Sequence, residues 1–270
     1  MTDKAVILAR GLGTRMRKDS DSAHLSKSQS SAADAGVKAM IPTGRPFLDY
    51  VLTALADAGY RRACLVIGPE HDSIRDYYGQ KGACRRLGVE FAVQVEPRGT
   101  ADAVAAAETF AAGDHFLMIN SDNYYPPEAL SALRELPGSG LAVFDRETLL
   151  AGSNIPPERI NKFAVIQFDA ERNLLRILEK PQPEQISALT GPICISMNCW
   201  RFGPEIFQAC RSISPSPRGE MEITDAVQYA IDSLGVKFRS MSFQVPVLDL
   251  SSRDDIAEVA KRLADVKVSF

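Results

Sequence analysis

Absences narrow the chemistry of this chain before any motif does. Its five cysteines (Cys64, Cys84, Cys194, Cys199 and Cys210) are an odd set with no Cys-x-x-Cys pair. That argues against a disulfide framework or a zinc knuckle and predicts reduced core thiols. The three histidines, His24, His71 and His115, are never four apart, which speaks against helical zinc ligation and a serine-type triad. With a net charge of −3 and a pI near 5.7, the chain has no basic field to attract a nucleic acid. Its apolar runs, such as 103–107 and 116–119, fall far short of the roughly 20 residues needed to cross a bilayer, so no membrane association is expected. The first ten residues do not match a secretory signal, so a cytoplasmic setting is expected. No repeat of 20–50 residues is visible. Two familiar nucleotide motifs are also missing. Met16 stands where the dinucleotide fingerprint needs its third glycine, and no Walker pattern occurs.

What is present is an ordinary globular composition, 45% hydrophobic and 24% charged, over 270 residues. That length can bury a sizeable core. Strand-like runs at 5–8, 63–67, 90–94 and 116–119 alternate with helical ones at 47–58, 74–79 and 101–112. This is the rhythm of a parallel sheet with crossover helices. Thr100 is expected to cap the last of these helices and Gly113 to end it. Beyond about residue 125, strands are expected at 140–144, 163–168, 174–179 and 193–200, with helices at 204–211, 220–234 and 253–264. The fold class is therefore α/β, a Rossmann-like mixed, mostly parallel sheet flanked by helices. A nucleotide-sized half is expected over 1–125 and a smaller second half of the same domain, mixing hairpins with helices, over 126–270. Residues 18–36, rich in serine, aspartate and alanine, are expected to be mobile, as a lid over triphosphate or as a passive insertion.

The first strand empties into Arg10-Gly11-Leu12-Gly13-Thr14-Arg15. Glycines at 11 and 13 allow positive φ and close backbone approach to an anion, and Arg15 adds a forked positive charge. A nucleoside triphosphate site is the first expectation. Asp122 and Asp249 each follow an apolar strand-like run, where an open α/β sheet forms its ligand crevice, so both are candidates to hold Mg²⁺. Lys38 and Lys180 are candidate grips for phosphate.

These segments, in this order, resemble the sugar-1-phosphate nucleotidyltransferase family. Gly11-Leu12-Gly13-Thr14-Arg15-Met16 is similar to its phosphate loop, and Val37-Lys38-Ala39-Met40-Ile41-Pro42 with Gly44-Arg45-Pro46 to its lysine segment. Residues 94–103 resemble the base-reading segment, Asn120-Ser121-Asp122 the metal aspartate, and Glu179-Lys180-Pro181 the sugar-phosphate motif. Residues 222–226 and 248–250 match later landmarks. The resemblance implies a nucleoside triphosphate and a sugar-1-phosphate as substrates, with 1–125 as the nucleotide-binding half and 126–270 as the smaller, sugar-phosphate-binding lobe. Leu8, Ala9, Gly11, Gly13, Thr14, Arg15, Gln94, Gly99 and Thr100 would bind the nucleotide; Ala164, Glu179, Lys180 and Asn198 would bind the sugar phosphate. Arg15, Lys38, Asp122 and Lys180 would carry catalysis, with Asp122 and Asp249 on Mg²⁺. A homo-oligomer is compatible with this reading.

The chain departs from the pattern at Arg10, where a small residue is usual, at Val37, at Ala164 and at Ser196-Met197-Asn198-Cys199-Trp200, and its stretch between Arg15 and Lys38 is long. Two alternatives follow: a catalytically silent nucleotide or sugar-nucleotide sensor, and a transferase for another phosphate such as phosphocholine, caged by Trp200 and Tyr124.

Overall fold

The computed structural model describes residues 1–18, 20, 23, 25–80, 84–187, 189 and 191–270. In chain order its strands are β1 (Lys4–Leu8), β2 (Arg62–Ile67), β3 (Gly88–Val93), β4 (Phe116–Asn120), β5 (Asn123–Tyr124) and β6 (Ser139–Asp145). They continue with β7 (Val165–Phe168), β8 (Leu174–Leu178), β9 (Cys194–Phe202), β10 (Phe238–Phe243) and β11 (Leu248–Asp249). The main sheet runs β10-β6-β9-β4-β1-β2-β3, with the β7–β8 hairpin attached to β9. β9 runs antiparallel to both β4 and β6, while the other pairings along this path are parallel. The expected mixed, mostly parallel sheet is what forms, and β6, β9 and β10 extend the same sheet rather than starting a new one.

Strand alternation decides which core each side chain enters. Ala5, Ile7, Leu117 and Ile119 face one buried cluster, whereas Val6, Phe116 and Met118 face the other. A sheet covered on both faces needs apolar residues at every position, and so these strands read as continuous hydrophobic runs. Helices Phe47–Asp57, Pro127–Glu135 and Asp255–Leu263 supply the first layer; Thr100–Ala105, Glu205–Ser212 and Ile223–Leu234 supply the second. Each large side chain fully buried this way contributes roughly 1.5–3 kcal/mol. No described helix is long and apolar enough to cross a membrane.

The structure corrects three local expectations. The helix expected over 101–112 is two pieces, Thr100–Ala105 and Glu108–Ala111, and the first is capped by Gly99 at φ +117° rather than by Thr100. The Thr100 hydroxyl is occupied elsewhere, accepting from Ile223 N–H at 2.8 Å and so capping a helix 123 residues away. Within the segment expected to lack structure, Lys27–Ala35 is a helix. Ser26 Oγ accepts from Gln29 N–H, the Gln29 side chain returns to Ser26 N–H, and Gly36 ends the helix in the left-handed region at φ +74°. The caps thus satisfy both ends of this short polar helix. Asp19, Asp21, Ser22 and His24 of that expected segment lie outside the described residues. At the carboxyl end, Phe270 packs against Tyr78 with ring centroids 6.2 Å apart.

Candidate active site

The crevice opens where β1 sends its connections to opposite sides, outward to β2 and, later in the chain, to β4. Open α/β sheets bind ligands at such a switch point. Ser121 N–H donates to the Leu8 carbonyl at 3.1 Å and Ala9 N–H to that of Val66 at 2.9 Å, which locks the three strand ends together. The cleft is lined by Leu8, Ala9, Arg10, Gly11 and Leu12 after β1, by Gln94, Pro97, Gly99 and Thr100 after β3, and by Asn120, Ser121 and Asp122 after β4. Lys38, Ala103 and Glu220 complete it.

The two loop glycines do different things. Gly13 has φ +61°, and a Cβ there would lie 2.2 Å from the Gly36 carbonyl oxygen, so it is required by the close crossing of two backbones. Gly11 does not adopt positive φ; a Cβ on it would meet nothing within 4 Å, which leaves its backbone bare toward the cleft. Gly13, Thr14 and Arg15 do not line the cleft, and Thr14 and Arg15 are exposed. The loop is anchored from the far end of the chain. Arg253 donates through Nε to the Met16 and Lys18 carbonyls, each at 3.0 Å, and pairs with Asp34 at 2.5 Å.

Across the cleft, Gln94 is only 4% exposed, and its amide nitrogen donates to the Gly99 carbonyl at 3.0 Å and to Asp102 Oδ2 at 2.8 Å. Because both partners can only accept, the NH₂ must face them. The amide oxygen is then the group Gln94 has to offer a ligand. Gly99 is needed here for packing: a Cβ on it would stand 2.5 Å from the Met221 carbonyl oxygen. Met221 bridges the segment, donating its N–H to Arg98 at 2.7 Å and accepting from Ala101 N–H at 2.8 Å.

Asp122 reaches the cleft from the end of β4 and accepts from Lys38 Nζ at 2.8 Å, with side-chain exposures of 21% and 14%. Asp249 arrives through the short β5–β11 pairing, opposite Asn123, while Leu250 N–H donates to the Asp122 carbonyl at 2.8 Å. Its Oδ1 accepts from Ser251 Oγ at 2.9 Å and Asn123 Nδ2 at 3.1 Å; its Oδ2 accepts from Arg159 Nη1 at 2.6 Å. Burial first, and then the charge of Asp122, push the Asp249 carboxyl above its usual range, with Ser251 and Arg159 opposing. Two carboxylates are thus held within electrostatic reach of one another. Among the described residues no group of three or more His, Cys, Asp or Glu forms a self-contained metal cage. The donors present, carboxylate oxygens in mutual repulsion beside a polar cleft, fit a hard divalent cation that takes its other ligands from water or phosphate.

The structure leaves the expected sugar-phosphate residues outside this cleft lining. Glu179 and Lys180 lie exposed beyond β8, with Lys180 at φ +45°, and Glu179 borders a separate recess with Arg176 and Asp225. Ala164 is buried at 8% exposure, its carbonyl accepting from Ser196 N–H at 2.9 Å. Asn198 sits at φ +56° and accepts from Trp200 Nε1 at 3.3 Å. Trp200 is fully buried and stacked on Phe202 at 5.8 Å between ring centroids, so the aromatic cage considered for a quaternary amine does not form.

Three contributors escaped sequence reasoning. Arg159, 90 residues from Asp249, also pairs with Asp255 at 3.0 Å, and no motif marks it. Asn123 and Glu220 carry no signal beyond their place next to matched segments. Arg10 stood out as a departure, yet nothing in the sequence put its side chain in the cleft.

Comparison with known proteins assigns the whole chain. The family model described as Nucleotidyl transferase matches residues 4–263. A glucose-1-phosphate thymidylyltransferase of Streptomyces griseus is 31% identical over 258 residues, covering 95% of this chain and 64% of its own length. A UTP–glucose-1-phosphate uridylyltransferase of Haloferax volcanii is 25% identical over 264 residues, covering 97% of each chain. The chain spans only 48% of the bifunctional protein GlmU of Methanococcus vannielii, to which it is 29% identical over 231 residues. In three dimensions it superposes on UDP-glucose pyrophosphorylase complexed with UDP-glucose with a TM-score of 0.74 at 20% identity, over 99% of this chain and 100% of that one. Matched by that model over residues 4–263, this chain belongs to the nucleotidyl transferase family.

Proposed function

We propose that the protein transfers a nucleotidyl group from a nucleoside triphosphate to a sugar-1-phosphate, giving an NDP-sugar and pyrophosphate. The observation that carries this reading is the Lys38–Asp122 pair, 2.8 Å apart at the end of β4 and facing the bare backbone of Gly11 across one cleft. Family membership and relatives that use glucose-1-phosphate support the same chemistry.

A sugar phosphate oxygen is already anionic at neutral pH, so the reaction asks for no general base. Catalysis is then alignment for in-line attack on the α-phosphorus together with charge stabilisation. The loop after β1 would take the phosphates through backbone N–H groups. Lys38 would move its charge between Asp122 and a phosphate oxygen. Asp122 and Asp249 would hold Mg²⁺, which when bound supplies charge neutralisation on the transferring group and the pyrophosphate. Gln94 would accept from the N3–H of a pyrimidine through its amide oxygen, which favours UTP or dTTP over CTP and ATP. Ala164, Glu179 and Lys180, which flank the β7–β8 hairpin, would meet the sugar phosphate only after that hairpin moves toward the cleft, and Asn198, on β9, only where the sugar extends to it, since none of the four lines the cleft. Such a protein works in an aqueous compartment, and we place it in the cytoplasm.

The test is pyrophosphate release with Mg²⁺ over five nucleoside triphosphates against a panel of sugar-1-phosphates and phosphocholine, with Asp122→Ala as the blank. Turnover with a pyrimidine triphosphate and a hexose-1-phosphate is expected. Silence across the grid despite nucleotide binding would replace this reading with that of a silent sensor.

A further inference from the structure

Arg10 is a buried cation without a full set of partners. Its side chain is 7% exposed although it stands one residue before the phosphate loop, at the end of β1. A guanidinium carries five N–H donors. Only Nη2 is engaged, at 3.3 and 3.4 Å from the two oxygens of Glu70, whose own side chain is 50% exposed. Nε and Nη1 are buried with no hydrogen-bond partner among the described residues. Buried donors in native proteins are almost always satisfied, and an orphaned pair in a cleft asks for a ligand.

The arrangement is built rather than slack. A Cβ on Gly68 would lie 2.4 Å from Arg10 Nε and 2.4 Å from each Glu70 oxygen, so the bare Cα of Gly68 is the floor on which the ion pair rests. Arg10 lines the cleft next to Gly11 and Leu12. The other cation lining the cleft, Lys38, already has its carboxylate at 2.8 Å. Long contacts to a half-exposed Glu70 leave the Arg10 charge incompletely neutralised. An anionic oxygen answers both deficits at once, charge and unmade hydrogen bonds, whereas a base carbonyl or ribose hydroxyl answers only the second.

We propose that Arg10 is a substrate-anchoring residue whose guanidinium, with Nε–H and Nη1–H unpaired on opposite edges, turns to donate to phosphate oxygens of the bound nucleoside triphosphate. The proposal rests on the nucleotidyl-transfer reading above. Arg10 would take over part of the role expected of Arg15, which lies outside the cleft lining, and Glu70 would be a partial counterion whose charge competes with the phosphate for the guanidinium.

The experiment is calorimetric binding, first of UTP, dTTP, GTP, CTP and ATP to the unaltered protein. It continues with the di- and monophosphate and the nucleoside of whichever base binds, to Arg10→Met, Arg10→Lys and Glu70→Gln. Arg10→Met is expected to weaken triphosphate binding 10- to 100-fold, to weaken monophosphate binding less, and to leave nucleoside binding within twofold. It should also flatten the salt dependence of triphosphate binding. Arg10→Lys should recover part of the loss. Glu70→Gln should tighten triphosphate binding several-fold, an effect opposite in sign to that of a lost structural ion pair, and it carries the test if Arg10→Met fails to fold. Unchanged triphosphate affinity in Arg10→Met, or a loss equal across the series down to the nucleoside, would overturn the role of Arg10 alone. Failure of the unaltered protein to bind any triphosphate would overturn the transferase reading and this inference with it.

Discussion

The two aspartates that approach the cleft are held in opposite ways. Asp122 stands at the carboxyl end of a central strand, partly open, with one lysine on one oxygen. Asp249 is 4% exposed, comes from a two-residue strand paired across the chain, and has both oxygens engaged by Ser251, Asn123 and Arg159. One carboxylate stands partly open beside its lysine; the other is woven into the framework and would meet a cation only by exchanging one of these contacts. The contrast shows how one site divides its labour. On the proposed function, the strand end that reads out directly from sequence would supply the charge that meets the ligand, and the long-range junction would fix where that charge sits. Breaking the first should therefore damage turnover, and breaking the second should damage stability as well.

The sharpest way to break the comparison is Asp122→Ala. Removing a group that stabilises transferring charge lowers kcat by about 10²- to 10³-fold, while stability should stay within about 1 kcal/mol because Lys38 can reach solvent through the cleft. Pyrophosphate release and urea unfolding measure the two; a large unfolding loss would show that Asp122 is framework too. Asp249→Ala is next. It strips a buried partner from Arg159 and leaves Asp255 alone to balance it, which costs about 3 kcal/mol of folding free energy. A midpoint indistinguishable from that of the unaltered protein would refute the framework role.

Gly99→Ala probes the other long-range junction. A side chain at φ +117°, 2.5 Å from the Met221 carbonyl, should lose about 2 kcal/mol and raise the KM for the triphosphate more than it lowers kcat. Equal changes in both would point to general unfolding. The smallest effect is expected from Ser26→Ala, which removes the cap of helix Lys27–Ala35. That loss should be about 1 kcal/mol locally, seen as faster amide exchange over that helix with global stability unchanged.

The sequence by itself determined the class of sheet and most of its strands, because a strand buried on both faces must be apolar throughout and a parallel order needs helices between strands. Through its resemblance to the family, it also marked residues at or beyond strand ends that line the cleft: Leu8, Ala9, Gly11, Gln94, Gly99, Asn120, Ser121 and Asp122. Only the tertiary structure decided the rest. Thr100 caps a distant helix, Gly13 exists to let Gly36 pass, Trp200 is core, and Arg159 and Arg253 clamp segments far away in the chain. Periodicity and local propensity act over a turn or a strand, whereas these pairings depend on which surfaces meet once the sheet has closed. The same distinction covers Arg10. Its identity is local, but its burial, its unmade hydrogen bonds and its place on the bare Cα of Gly68 exist only in the fold.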